Sequence, residues 1–259
     1  MSAFSPCSSC GKGCCTNYTV SILGYDAWVI GKHLLLPLES FLITFPAKEQ
    51  NEYGFLLAPG GDRYEIALDK VGKYQKGNPC IFWMPLFTDH GRCGIYPCRP
   101  LVCQTYPAYQ QQEIVALRDD VYCPARSWNL AGMNVASFRG RLYRFRMERD
   151  LYAYTVRAWN RSVEGSPFQR NLSQFYAFLM NFYEHLDEAR RLIPAGTFQK
   201  IVQQWGELSL SAPNPLAADL TPRNGNQEWH GFLANVRATV DHYAAAFREI
   251  DRPLTVAAI

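Results

Sequence analysis

Nine cysteines are spread unevenly over 259 residues. One window reads Cys7-Ser-Ser-Cys10-Gly-Lys-Gly-Cys14-Cys15, a second holds Cys80, Cys93, Cys98 and Cys103, and Cys123 is the last. An odd total suits a pure disulfide framework poorly, and the adjacent Cys14 and Cys15 can hardly bond each other without strain. Free apolar thiols scattered in a core would not cluster in this way. Two sulfurs two residues apart in a tight turn can share one ion, and Gly11 and Gly13 free the backbone to aim N–H groups at sulfur. Thiolates brought together repel unless a cation holds them. The pattern predicts a cysteine-ligated metal site assembled from both windows. Four sulfurs suit zinc. Iron, including a four-iron, four-sulfur cluster, is the alternative, although neither common ferredoxin spacing is present.

Other residues could serve such a site. Pro100 fixes the turn before Cys103. The permanent charge of Arg99 would offset thiolate charge or hold a substrate carboxylate, and a plain ion pair with a nearby acid is an equal alternative. His90 offers a nitrogen ligand, though exposure in the Asp89-His90-Gly91 turn is the plainer reading. Trp28 and Trp83 lie near the windows and would shield an ion from water. Farther on, Arg139, Arg141, Arg144, Arg146 and Arg149 form a short basic strip. Intrachain pairing with Glu148 and Asp150 on a solvated helix face explains it better than an acidic partner does. Arg149 differs, because it falls on an apolar stripe and is expected to face a polar pocket. The net charge of +3 is too small to argue for nucleic acid. No dinucleotide fingerprint, P-loop, zincin or hydrolase motif occurs.

These residues need elements to position them. Residues 26–33 read as a short helix with Gly31 near its end. Tyr53 to Leu57 and Tyr64 to Leu68 read as strands joined at Pro59-Gly60-Gly61-Asp62. Ile81 to Phe87 and Cys93 to Tyr96 read as a second hairpin that would bring Cys80 near Cys93, and Glu113 to Arg118 as a further strand. Beyond residue 130, apolar residues recur at helical spacing in four stripes, 138–163, 172–186, 198–208 and 229–247. The fold class is therefore α+β: a small cysteine-rich metal-binding front region with short strands, residues 1–130, and an antiparallel helical region, residues 131–259, packed on it. The helical region is the expected surface for a protein substrate or partner. The apolar run 34–45 is broken by Pro37, Glu39 and Ser40, so no membrane span is expected, and the start lacks a secretory signal. A cytoplasmic protein is the expectation, and clustered thiols in a reducing compartment bind metal more often than they pair.

The order Cys7-x2-Cys10-x3-Cys14-Cys15, then Cys80, then Cys93-Gly-Ile-Tyr-x-x-Arg99-Pro100-x-x-Cys103-x-x-Tyr106-Pro107 resembles the YkgJ-type, or CxxCxxCC, zinc- or iron-chelating family. The likeness covers roughly residues 7–125. It departs at the three-residue spacing before Cys14, at Cys98, where the family has another residue, and at Gln104, where an arginine is usual. The resemblance implies that Cys7, Cys10, Cys14, Cys15, Cys80, Cys93 and Cys103 are ligands, with Cys123 following and Cys98 an added thiol. It leaves the metal as zinc or iron. Flagellin lysine N-methylases carry the same domain, which implies one alternative to a metal-binding role alone: an iron–sulfur enzyme methylating protein lysine from S-adenosylmethionine. Metal storage or delivery is another.

Overall fold

The structure is a computed structural model describing residues 13–48, 51–72, 77–87, 90–111, 114–118, 122, 135–211, 214, 216 and 227–249. Cys7, Cys10, Cys123, Gly11, Asp89 and Glu113 lie outside the described residues, as does the side chain of His90.

In the front region a short helix α1 (Cys14–Asn17) leads into α2 (Gly24–Leu34). A three-stranded antiparallel sheet follows, from β1 (Leu42–Pro46), β2 (Phe55–Leu56) and β3 (Arg63–Leu68), in the order β1-β3-β2. Two hairpins come next, β4 (Trp83–Phe87) with β5 (His90–Cys93) and β6 (Ala108–Gln111) with β7 (Ile114–Leu117). Between them lie a 3-10 turn (Tyr96–Cys98) and α3 (Leu101–Thr105). The back holds α4 (Val135–Glu164), α5 (Leu172–Arg191), α6 (Ala195–Ser211) and α7 (Gln227–Glu249). The α+β class follows directly from this order.

The expected helix at 26–33 forms, with Gly31 in its last turn. The helix ends at Leu35, which takes the left-handed conformation with φ 55°. The hairpin around Gly60 pairs β2 with β3 as expected. The second hairpin differs in one respect: its return strand is His90–Cys93, and Tyr96 belongs to the 3-10 turn. Strands β1 and β6 escape the sequence pattern. β1 ends a run containing proline and glutamate, and β6 reads Ala-Tyr-Gln-Gln, with too little apolar alternation to signal a strand.

The four helical stripes become α4 to α7. Phe175, Tyr176, Leu179, Phe182, Tyr183 and Leu186 of α5 are buried as the pattern requires. Helix α4 is covered on more than its stripe: Tyr143, Met147, Leu151, Ala153 and Ala158 are buried too, along with Glu148, Asp150 and Thr155. It is the central helix, touching α6, α7, α2, α3 and β2, so a one-face reading understates its burial. Gly206 permits the closest of these approaches, since a Cβ there would fall 2.1 Å from the Tyr143 ring. Burial also dissolves the basic strip as a single face. Glu148 is fully buried between Arg144 Nε and Arg190 Nη2, each 2.7 Å from its Oε1. Arg146 donates to the Gln110 carbonyl at 3.0 Å, and Arg141 is exposed.

Front and back share one core, a cluster of buried side chains running from Ile22 to Ala244. The join at β2 is made by polar groups. Trp159 Nε1 donates to the Leu56 carbonyl at 2.7 Å, Asn160 Nδ2 donates to the Gly54 carbonyl at 2.8 Å, and Asn160 Oδ1 accepts from the Leu56 N–H at 2.8 Å. Among the described residues no helix is long and apolar enough to cross a membrane.

Candidate metal centre

The two cysteine windows meet through backbone. Cys14 and Cys15 open α1, whose first turn is tied by Thr16 Oγ1 and Asn17 Nδ2 donating to the Gly13 carbonyl at 3.1 and 3.0 Å. The Cys80 N–H then donates to the Cys15 carbonyl at 2.7 Å. Trp83 N–H returns to the Cys80 carbonyl at 2.8 Å, Trp83 faces Cys93 across the hairpin, and Gly94 N–H reaches the Phe82 carbonyl at 2.7 Å. The hairpin thus carries Cys80 and Cys93 to one end, as its sequence implies.

Cys103 arrives on α3, and an unanticipated residue positions that helix. Asp26 is buried at the start of α2, where Oδ2 accepts from the Leu23 N–H at 3.1 Å and Oδ1 accepts from the Leu101 N–H at 2.8 Å. One carboxylate therefore fixes the first turns of two helices. Burial pushes its pKa up to about 7, against the opposing pull of these two N–H donors. The expected helix begins at Asp26, whereas the observed one begins at Gly24 and makes Asp26 its third residue, the capping position; sequence gives no hint that its second oxygen serves α3.

Cys14, Cys15, Cys80, Cys93 and Cys103 line one cavity of about 50 Å³, whose other walls are mostly apolar. Electrostatics agree with this grouping. Burial raises the Cys80 thiol to about 11, Cys93 and Cys14 add to the rise, and the buried Lys70 opposes it. Burial also raises Cys103 far above its ordinary value, followed by the charges of Cys14, Cys80 and Cys93. Cys14 is raised chiefly by its hydrogen bond to Cys15 and then by burial. Cys98 stands apart: it is buried in the shared core, does not line the cavity, and is raised by burial with no contribution from another cysteine. Trp83 lines the cavity, whereas Trp28 donates its Nε1 to Glu184 Oε2 at 3.0 Å on the α5 side and is not part of the lining.

Arg99 completes the lining. It is 7% exposed, and its guanidinium lies 4.0 Å from the centroid of the Tyr96 ring. Its carbonyl accepts from Gln104 Nε2 at 2.8 Å, so the glutamine that replaces an arginine helps to hold the turn. Arg99 Nη1 is buried and has no hydrogen-bond partner among the described residues.

These residues fit a thiophilic ion. Soft sulfur donors in an apolar enclosure select zinc or iron over magnesium or calcium. A buried guanidinium with an open N–H suits a site that becomes negative when thiols ionise. Among the described residues, no three of the histidine, cysteine, aspartate and glutamate side chains are drawn together as a ligand set. The five thiols share a cavity without converging on a point.

Thiols from three separated segments, gathered in one mostly apolar cavity, define a cysteine-rich metal-binding domain. Residues 6–124 match the model of the CxxCxxCC family, described as a "putative zinc- or iron-chelating domain". No curated protein and no solved structure matches the chain.

Proposed function

We propose that this protein binds a single zinc or iron ion through cysteine thiolates and that the ion locks the front region together. Cys14, Cys80, Cys93 and Cys103 are the central ligands, with Cys15 beside them and Cys7 and Cys10 completing the first window. Arg99 acts on the site as a charge partner, donating from Nη1 toward metal-bound sulfur. The observation that carries this reading is the common cavity of about 50 Å³ reached by thiols from α1, the β4–β5 hairpin and α3. Its segments are already tied to the fold, α1 to Cys80 by a backbone hydrogen bond and α3 to the Asp26 carboxylate, as a structural site requires. Cys98 and Cys123 are not needed by this assignment.

Anaerobic purification with metal analysis and an absorption spectrum tests the reading. One equivalent of zinc in a colourless protein, or of iron with a thiolate charge-transfer band, is the expected result. A brown protein with about four irons and inorganic sulfide, bleached by dithionite, would overturn the single-ion assignment and support the enzyme alternative. Arg99→Gln should weaken metal retention against a chelator about tenfold, while Arg99→Lys should restore part of it.

A further inference from the structure

A second cavity, of about 210 Å³, lies between β3 and α4, away from the thiols. Its walls are Ile22, Leu23, Ile66, Val102 and Phe145, and its polar groups are Ser21, Tyr53, Glu65, Arg149 and Tyr152. Apolar walls with a few convergent polar groups are the ordinary composition of a small-molecule site, and this one is smaller than sites for drug-sized ligands. Arg149, the residue that interrupts the apolar stripe of α4, lines this cavity, whose walls are mostly apolar rather than the polar ones expected from that break.

Two observations mark the cavity as built for a ligand. Tyr152 is 1% exposed, yet its hydroxyl has no hydrogen-bond partner among the described residues. A buried hydroxyl left unsatisfied costs on the order of 1–3 kcal/mol. Arg149 Nε is likewise buried without a hydrogen-bond partner, and the nearest carboxylate oxygen in an ion pair with the guanidinium, Asp150 Oδ1, is 3.6 Å from Nη2. The polar groups are also divided by charge. Arg149 lies toward Tyr53, whose phenol it pulls down against a rise caused mainly by burial. Glu65, whose carboxylate accepts from Asn51 Nδ2, lies toward Tyr152, whose phenol is raised by burial first, then by Tyr176 and by Glu65. The Tyr53 and Tyr152 rings are stacked, nearly parallel, at 6.2 Å.

We propose that this cavity binds a free α-amino acid with an aliphatic side chain. Arg149 receives the carboxylate, Glu65 and the Tyr152 hydroxyl receive the ammonium group, and Ile22, Ile66, Val102 and Phe145 enclose the side chain. A simple carboxylic acid would leave Glu65 facing an anion, and a simple amine would leave the Arg149 guanidinium with only its long 3.6 Å pair to Asp150, so the paired charges select a zwitterion. The assignment does not depend on the metal centre, apart from the fact that Val102 neighbours Cys103 on α3.

Calorimetric titration of the full chain with L-leucine, L-leucinamide and 4-methylpentanoate tests it. Leucine should bind saturably with a dissociation constant below about 1 mM, and each singly charged analogue at least about tenfold more weakly. Arg149→Gln should reduce leucine affinity by at least about tenfold. Tyr152→Phe should weaken binding severalfold while leaving the ligand-free melting temperature unchanged or higher, because it deletes an unsatisfied hydroxyl. A purely structural tyrosine would instead melt earlier on losing its hydroxyl. Absence of saturable leucine binding, equal binding of either analogue, or leucine affinity unchanged in Arg149→Gln would each overturn the proposal.

Discussion

The front and back of this chain are stabilised in different ways. The back is a set of amphipathic helices closed over Trp159, Trp205, Trp229 and the phenylalanines of α5, all fully buried. Such a core is dense in local contacts and needs no ligand. The front has strands of two to six residues and helices as short as four. Its segments are tied by single backbone bridges, by one shared carboxylate and, in the reading proposed above, by an ion. Regular elements with aromatic stripes can hold their own shape, whereas irregular segments carrying reactive side chains need cross-links.

Removing the ion probes that contrast most strongly. Chelation under reducing conditions should abolish amide protection around α1, β4–β5 and α3, an effect on the order of several kcal/mol, while α5 to α7 retain theirs. Uniform loss across both regions would erase the distinction. Next in size is Trp205→Ala, expected to destabilise by about 3–5 kcal/mol in denaturant unfolding. Trp205 is fully buried and donates its Nε1 to Asp150 Oδ2 at 2.9 Å, so both packing and a partner are lost, and metal content should stay at the wild-type level.

Asp26→Asn should cost about 1–3 kcal/mol, because an amide cannot accept from both Leu23 and Leu101 and one buried N–H is left unsatisfied. The same variant has a pH signature. The folded pKa of Asp26 is raised to about 7 from 3.8, so its contribution is fully present below pH 3.8 and declines as pH rises through 7. The stability gap between wild type and Asp26→Asn should therefore narrow from about pH 4 to pH 8, as read from urea midpoints. The smallest effect belongs to the surface: Lys32→Ala breaks a 2.6 Å pair with Glu184 between two side chains more than 40% exposed, and should cost about 0–1 kcal/mol, less in high salt.

The sequence is read most easily where one physical rule dominates. Helix α5 has a single apolar face, so Leu172 to Leu186 could be placed from spacing alone. Helix α4 could be located but not oriented, because a central helix buries residues such as Tyr143 and Met147 that lie off any one stripe. The joining of two cysteine windows follows from clustering and hairpin logic, and Cys14, Cys15, Cys80, Cys93 and Cys103 do meet at one cavity. Spacing could not separate Cys98 from them, because a 3-10 turn aims its side chains in directions that depend on where the turn is anchored. Asp26 and Lys70 were invisible as site residues for a related reason: each acts across more than fifty residues of chain, through contacts that exist only once the fold has formed.

The clasp of Asn160 and Trp159 on β2 bears on how copies of this protein avoid one another. β2 is an outer strand of its sheet, and an outer strand with open N–H and C=O groups invites pairing with a strand from another molecule. Here the Leu56 N–H and the Gly54 and Leu56 carbonyls are already occupied by side chains of α4. The helical region thus acts as a built-in guard against strand addition. A front region expressed without α4 would lose the guard and the core together, and should self-associate through β2 even with its metal in place.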